Sequence, residues 1–419
     1  MRHRISSDPD EDEPVIGPLP IDVLALLDRV GSLVSNARDI VERRVDDGKI
    51  PAWCDARGWT GFLLSLSSED LSRSEGQGLA SCVDLLAGAP QSLRELAGQV
   101  RAIQLAVPVS EPSASCPRVA RASPRKASQL AGLLQAAAPL IERSQRVVDV
   151  GSGRGSLAMS LASKFDRPVV GVELVEDRVR GAAKRAVDRE IRFEHRDALV
   201  RELGLQPGDL AMGLHACGEL GDELVREAIA ARVDVALVTC CVQKVQGAHR
   251  TPLSAAARAR GLTLPRDVLG LANLTSRRQG VEVPIEQTMR AREARCALRL
   301  VLRERGTAIR AGDEMRGLNR RQAMRGARAL IDTALAARGM PGAMPAEIEQ
   351  AQLRAAEVFG QVRRLTLPRA MLGPVVELAV VLDRACALVE AGYQVQVSRL
   401  FAPEASPRNL LILGQVQMG

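Results

Sequence analysis

From residue 21 to residue 45 the apolar positions of IDVLALLDRVGSLVSNARDIVERRV recur at three- and four-residue spacing, the period of a helix with one buried face. Residues 63–86 continue that character, so 21–108 reads as a helical domain with Trp53 and Trp59 as packing residues. Residues 109–124 are rich in Pro, Ser and Ala and read as a linker. Beyond a helix predicted over 123–144, the pattern changes to short β-branched runs. These lie at 147–150, 169–172 and 191–195, in a run from 210 that breaks at His215, and in VDVALVT, which leads into Cys240 and Cys241. Apolar runs of this length, separated by helical stretches, fit a parallel sheet buried on both faces.

After this first part, 125–242, the strand and helix order is interrupted by a helical insertion, 243–369. The closing segment, 370–419, supplies a crossover helix and two strands, 393–400 and 410–416. The loop between those strands is too short for a parallel crossover, so they must run antiparallel. The polar leader, 1–20, is expected to be disordered.

The strongest chemical signal is the turn after the first strand, DVGSGRGS, with Gly151, Gly153 and Gly155. Glycines let backbone approach a ligand, and the following helix aims its free N–H groups at the same point. The second strand delivers Glu173 at its carboxyl end, where an acid can accept hydrogen bonds from ribose hydroxyls. Asp149 stands two residues before the first glycine. Dinucleotide-binding proteins space their glycines G-x-G-x-x-G. Here the spacing is G-x-G-x-G, and this turn resembles that of class I methyltransferases.

Further along come GLHACGEL and the paired cysteines. Together with the turn, they resemble the methyltransferase family with a G-L-H-x-C-G-D-L signature and a Cys-Cys-Tyr-like strand end, which includes the methyltransferase-like proteins of eukaryotes. The likeness covers residues 123–241 and returns in Ser406, Pro407, Arg408 and Asn409 of the closing hairpin. It implies an α/β fold: a seven-stranded Rossmann-like sheet with an antiparallel last strand, plus the helical N-terminal region and the insertion. It also implies S-adenosylmethionine as cofactor, held by Asp149, Gly151, Gly153, Gly155, Glu173 and by Asp197, which is expected at the adenine amino group. Glu219, Arg154 and Val242 depart from the usual Asp, Lys and aromatic residue.

His215, Cys217, Cys240 and Arg408 are the candidate catalytic residues, since ligands in open α/β sheets bind outside the carboxyl ends of the strands. His215 has two readings, general base or structural turn residue. Cytosine-C5 RNA methyltransferases place cysteines similarly, so Cys217 and Cys240 also have two readings, thiolate nucleophile or buried inert thiol. No metal is expected, because adjacent cysteines rarely ligate one ion tetrahedrally.

Charge adds a partner. The chain carries a net +7, and arginine outnumbers lysine heavily. Between Arg250 and Leu330 stand 18 arginines against 7 acids. Such a surface attracts phosphate, so RNA is the expected partner and acceptor; the opposing reading is arginines solvated or paired with acids. A protein or small-molecule acceptor, or a cofactor- or RNA-binding scaffold that transfers nothing, remains open. The eight cysteines form neither a disulfide framework nor a C-x-x-C motif, and no run of 18 apolar residues exists. A cytoplasmic enzyme without membrane attachment is expected.

Overall fold

The computed structural model describes residues 21–110, 124–186, 190–271, 285–310, 312–400 and 409–417. Two compact units divide the chain. One comprises Ala106–Arg266 and Leu378–Gly419 with the stretch before Ser32; the other joins Ser32–Leu105 to Asp267–Glu377.

The first unit is built on a seven-stranded sheet. Its strands are β1 (Arg146–Val150), β2 (Val169–Glu173), β3 (Ile191–His195), β4 (Asp209–Ala216), β5 (Asp234–Thr239), β8 (Tyr393–Arg399) and β9 (Leu410–Val416). A separate ribbon pairs β6 (His249–Arg250) with β7 (Leu264–Pro265). The order in the large sheet is β3-β2-β1-β4-β5-β9-β8. β1 to β5 pair in parallel, whereas β9 runs antiparallel to both β5 and β8. This is the seven-stranded sheet expected from the sequence, reversed last strand included.

Burial follows the sequence pattern. Every residue of β5 and β9 is buried, as central strands covered on both faces require, while the edge strand β3 is only half covered. Leu133, Leu140, Val147, Leu161, Leu210, Met212, Val238 and Leu413 share one core that links helices and sheet. Val109 makes an isolated parallel bridge to Arg399, and Ser110 donates its N–H to the Arg399 carbonyl at 2.8 Å. The start of the segment read as a linker is therefore tied to the sheet edge; residues 111–123 and the leader 1–20 lie outside the described residues.

The second unit has its own core, in which Leu298, Val301 and Leu302 of the helix Ile285–Glu304 meet Leu330, Ile331, Leu335, Ile348 and Phe359. Trp53 and Trp59 are buried in this unit and pack edge to face with centroids 6.0 Å apart. No helix among the described residues is long and apolar enough to cross a membrane.

Candidate active site

The turn after β1 needs its glycines for different reasons. Gly151, Gly153 and Gly155 all have positive φ, between 59° and 75°. A Cβ on Gly155 would lie 2.5 Å from the Phe193 ring, so this glycine lets the helix Ser156–Lys164 close onto β3. Gly171 meets the same ring, which makes both packing glycines. On Gly153 a Cβ would meet nothing nearer than the Gly151 carbonyl at 3.9 Å. Its outward side faces open space, which is where a ligand can approach backbone.

Around that opening stand the two predicted carboxylates. Glu173, 6% exposed, ends β2. Its Oε2 accepts from the Gly153 N–H at 2.9 Å, and its Oε1 accepts from the Val175 N–H at 3.0 Å and from Arg178 at 3.3 Å. The acid thus braces the turn as well as facing it. Asp149 is 2% exposed, and its Oδ2 has no hydrogen-bond partner. Burial pushes its pKa up to about 7, against the opposing pull of the Ala158 N–H and the Lys126 charge. A buried carboxylate oxygen left without a donor is costly unless a ligand completes it.

Asp197, half-buried beyond β3, accepts from the Leu199 N–H at 3.0 Å, and its carbonyl accepts from Val200 and Arg201. It closes its own turn at the strand end.

β4 shifts register against β5 between Leu214 and Ala216, which puts His215 at the irregularity. The His215 side chain and Arg408 lie outside the described residues. Gly218 follows with φ 53°, and a Cβ there would fall 2.0 Å from the Lys244 carbonyl. No other residue fits without moving the backbone.

Cys217 and Cys240 converge with sulfurs 2.6 Å apart, and Cys241 joins them so that all three sulfurs lie within 4.8 Å of one another. Because β5 ends at Thr239, strand alternation stops and both adjacent cysteines reach the same spot. Among the described residues these three sulfurs are one donor fewer than a closed structural zinc site uses. The neighbouring thiols and burial hold the Cys240 thiol far above its ordinary range. Cys217 has its largest single influence in a hydrogen bond to Cys240 that pulls it down, but the Cys241 thiol and burial together outweigh it and leave the thiol raised. Neither group is poised as a thiolate, which a covalent C5 mechanism demands. Iodoacetamide at pH 7.5, followed by peptide mass spectrometry, should label Cys217 and Cys240 more than about tenfold slower than an exposed thiol. Labelling at the exposed rate would restore the nucleophile reading.

A buried ionic network, for which the sequence carries no local signal, holds the floor of this region. Arg384, fully buried on the helix Gly373–Glu390, donates to Asp222 Oδ1 at 2.8 Å, Thr239 Oγ1 at 3.0 Å and the Gly218 carbonyl at 2.6 Å. Arg250 donates to both Asp222 oxygens and lies 2.7 Å from Asp383. Asp383 in turn accepts from the Leu253 and Ser254 N–H groups and from the Ser254 hydroxyl. One guanidinium therefore fixes both the turn after β4 and the end of β5.

Residues 125–248 match a family described as a methyltransferase domain. Among solved structures, the bifunctional kinase-methyltransferase WbdD is 22% identical over 27% of this chain and 27% of its own, with a TM-score of 0.20. The CcbJ methyltransferase from Streptomyces caelestis is 19% identical over 32% of this chain and 57% of its own, with a TM-score of 0.22. Mycolic acid cyclopropane synthase CmaA1, complexed with SAH and CTAB, is 15% identical over 78% and 96%, with a TM-score of 0.24. The chain thus spans under a third of WbdD and just over half of CcbJ. The matched residues hold β1 to β5 of the seven-stranded sheet, with the glycine turn, Glu173 and the clustered cysteines.

Proposed function

We propose that this chain binds S-adenosylmethionine at the β1–β2 edge and transfers its methyl group to RNA. The observation that carries the cofactor reading is the buried Asp149 Oδ2, which lacks a hydrogen-bond partner, near the end of β1, the strand that leads into the turn where the outward side of Gly153 opens onto space. A sulfonium or ammonium group is the complement such a carboxylate needs. Gly151 and Gly153 admit the ligand to the backbone, and Glu173 faces ribose hydroxyls from the end of β2. Asp197 is the candidate for the adenine amino group. When bound, the cofactor supplies an electrophilic methyl, and the chain's part is to orient the acceptor in line with it.

The RNA reading rests on Arg290, Arg320, Arg321, Arg325 and Arg328, all exposed in the second unit. Exposed guanidiniums of one sign gather phosphate and release counterions. Other arginines of the basic window have acids instead: Arg250 holds Asp222, Arg260 holds Asp28, and Arg295 and Arg299 share Glu314. Those pairs favour a second reading, a protein or small-molecule acceptor beside a basic segment that only packs.

Calorimetry with S-adenosylhomocysteine should show one-site binding that Gly153→Arg abolishes while leaving the melting temperature within a few degrees of the parent. Tight binding of NADH instead, or unimpaired binding in the variant, would refute the cofactor assignment. For the acceptor, filter binding of total RNA should weaken by about tenfold or more between 50 and 200 mM salt. Nucleoside mass spectrometry of cells with and without the gene then identifies the methylated base or ribose, and an unchanged profile removes RNA.

A further inference from the structure

The second unit contains a cavity of about 270 Å³ lined by six arginines, Arg44, Arg292, Arg295, Arg299, Arg363 and Arg369. Nothing in the methyl-transfer reading uses it. Most of these guanidiniums pair with acids. Arg295 and Arg299 share the fully buried Glu314, Arg363 holds the fully buried Glu75, and Arg44 lies 3.5 Å from both Asp46 and Asp267.

Arg369 differs. It is 6% exposed, and it donates through Nε and Nη2 to a single neutral acceptor, the Val41 carbonyl. Among the described residues no carboxylate lies within ion-pair distance of it. Burial pushes its pKa down to about 10, with Arg44 adding repulsion and Asp46 and Asp267 acting only at longer range. A buried guanidinium without a counter-anion is costly to the fold, so its retention at a cavity wall needs a reason.

Two more polar atoms share that wall. Thr366 Oγ1 is buried without a hydrogen-bond partner, and Arg299 Nε, 3.6 Å from Glu314 Oε2, makes an ion pair but no hydrogen bond. Against the six lining arginines stand Asp46 in the lining itself and Asp267, Glu75 and Glu314 as ion-pair partners, which leaves a formal surplus of positive charge. The lining also includes the apolar side chains of Phe359, Val362 and Val45. An anionic, multi-oxygen acceptor matches the surplus, the singly satisfied Arg369 and the Thr366 hydroxyl, and a carbon body matches the apolar lining residues. A phosphate monoester carries about −1.5 to −2 at neutral pH and offers three such oxygens. Arginine forks suit it geometrically.

We propose that this cavity is a binding site for a phosphate monoester, with Arg369, Arg299 and Thr366 as the residues that recognise the phosphoryl group. The site is independent of the cofactor pocket, and its ligand is a small phosphorylated molecule or free phosphate rather than a polynucleotide.

Titration calorimetry of the full chain tests it, with inorganic phosphate, ribose 5-phosphate and ribose as probes. Ribose 5-phosphate should bind at one site, phosphate should compete with it, and ribose should give no heat. If phosphate alone binds as tightly as the sugar phosphate, the ligand is the free ion, and the site stands with that source. Thr366→Val, which removes only a hydroxyl without a partner, should weaken binding several-fold while leaving the ligand-free melting temperature unchanged or higher. Arg369→Met, similar in length and uncharged, should weaken it by tenfold or more. Absence of heat with both phosphorylated probes at 10 mM overturns the proposal. So does equal binding by the parent and both variants, or binding of dephosphorylated RNA that ribose 5-phosphate cannot compete away and Arg369→Met removes.

Discussion

Arg384→Ala is expected to lower the unfolding free energy by about 3–5 kcal/mol, the range for removing one partner of a buried ion pair. The magnitude follows from what is left behind. Asp222 is 2% exposed, and burial alone would raise its pKa, but the Arg384 and Arg250 charges outweigh that and hold it below the usual carboxylate value. Without Arg384 the Asp222 carboxylate keeps only Arg250, while the Thr239 hydroxyl and the Gly218 carbonyl lose their guanidinium donor. Urea unfolding followed by circular dichroism measures the loss, and a midpoint within error of the parent would show the network to be dispensable. The sign with pH is also fixed. A depressed folded-state pKa gives Asp222 a stabilising contribution that is complete above the unfolded carboxylate value near 3.9 and disappears as pH falls through the lower folded value. The parent should therefore lose stability on acidification below about pH 4 more steeply than Asp222→Asn. Because Arg384 bridges the turn after β4 and the end of β5, cofactor binding in Arg384→Ala should fall along with stability.

That network also marks the limit of what the chain shows before folding. The sheet was legible because its signals are local. Val147, Val148 and Val150 are β-branched and adjacent, and the short connection before Leu410 dictates antiparallel pairing. Glu173 was legible for the same reason, since a strand of known length delivers its last residue to the ligand edge. Its bond to the Gly153 N–H and its ion pair with Arg178 were not, because turn geometry decides them. Arg384 and Asp222 are 162 residues apart, and each sits in a helix whose pattern reads as ordinary amphipathicity. Nor does periodicity reveal that Ser32–Leu105 shares a unit with Asp267–Glu377, because two apolar faces carry no label for their partner. The arginine surplus near residue 300 was visible as composition. Which arginines hold acids and which line a cavity became visible only when Glu314, Glu75 and Arg369 were placed.

The second large effect belongs to Asp149. Its folded-state pKa of about 7 against an ordinary 3.8 means that the folded chain prefers the carboxyl form across that interval, so stability falls as pH rises from about 4 to about 7 and stays lower above it. A shift of roughly three units corresponds to about 4 kcal/mol. Asp149→Asn removes the charge, and above pH 7 the ligand-free variant should be more stable than the parent by up to that amount. Function should move the opposite way. A cationic cofactor binds the ionised carboxylate, so the affinity of the parent for S-adenosylmethionine should weaken up to about tenfold per unit as pH drops below 7. The variant should bind weakly at every pH, with no such slope. Thermal unfolding without ligand, paired with calorimetric titration at pH 6, 7 and 8, reads both arms. A variant that binds like the parent, with the same pH slope, would detach Asp149 from the cofactor and leave it a buried carboxyl group with a structural role.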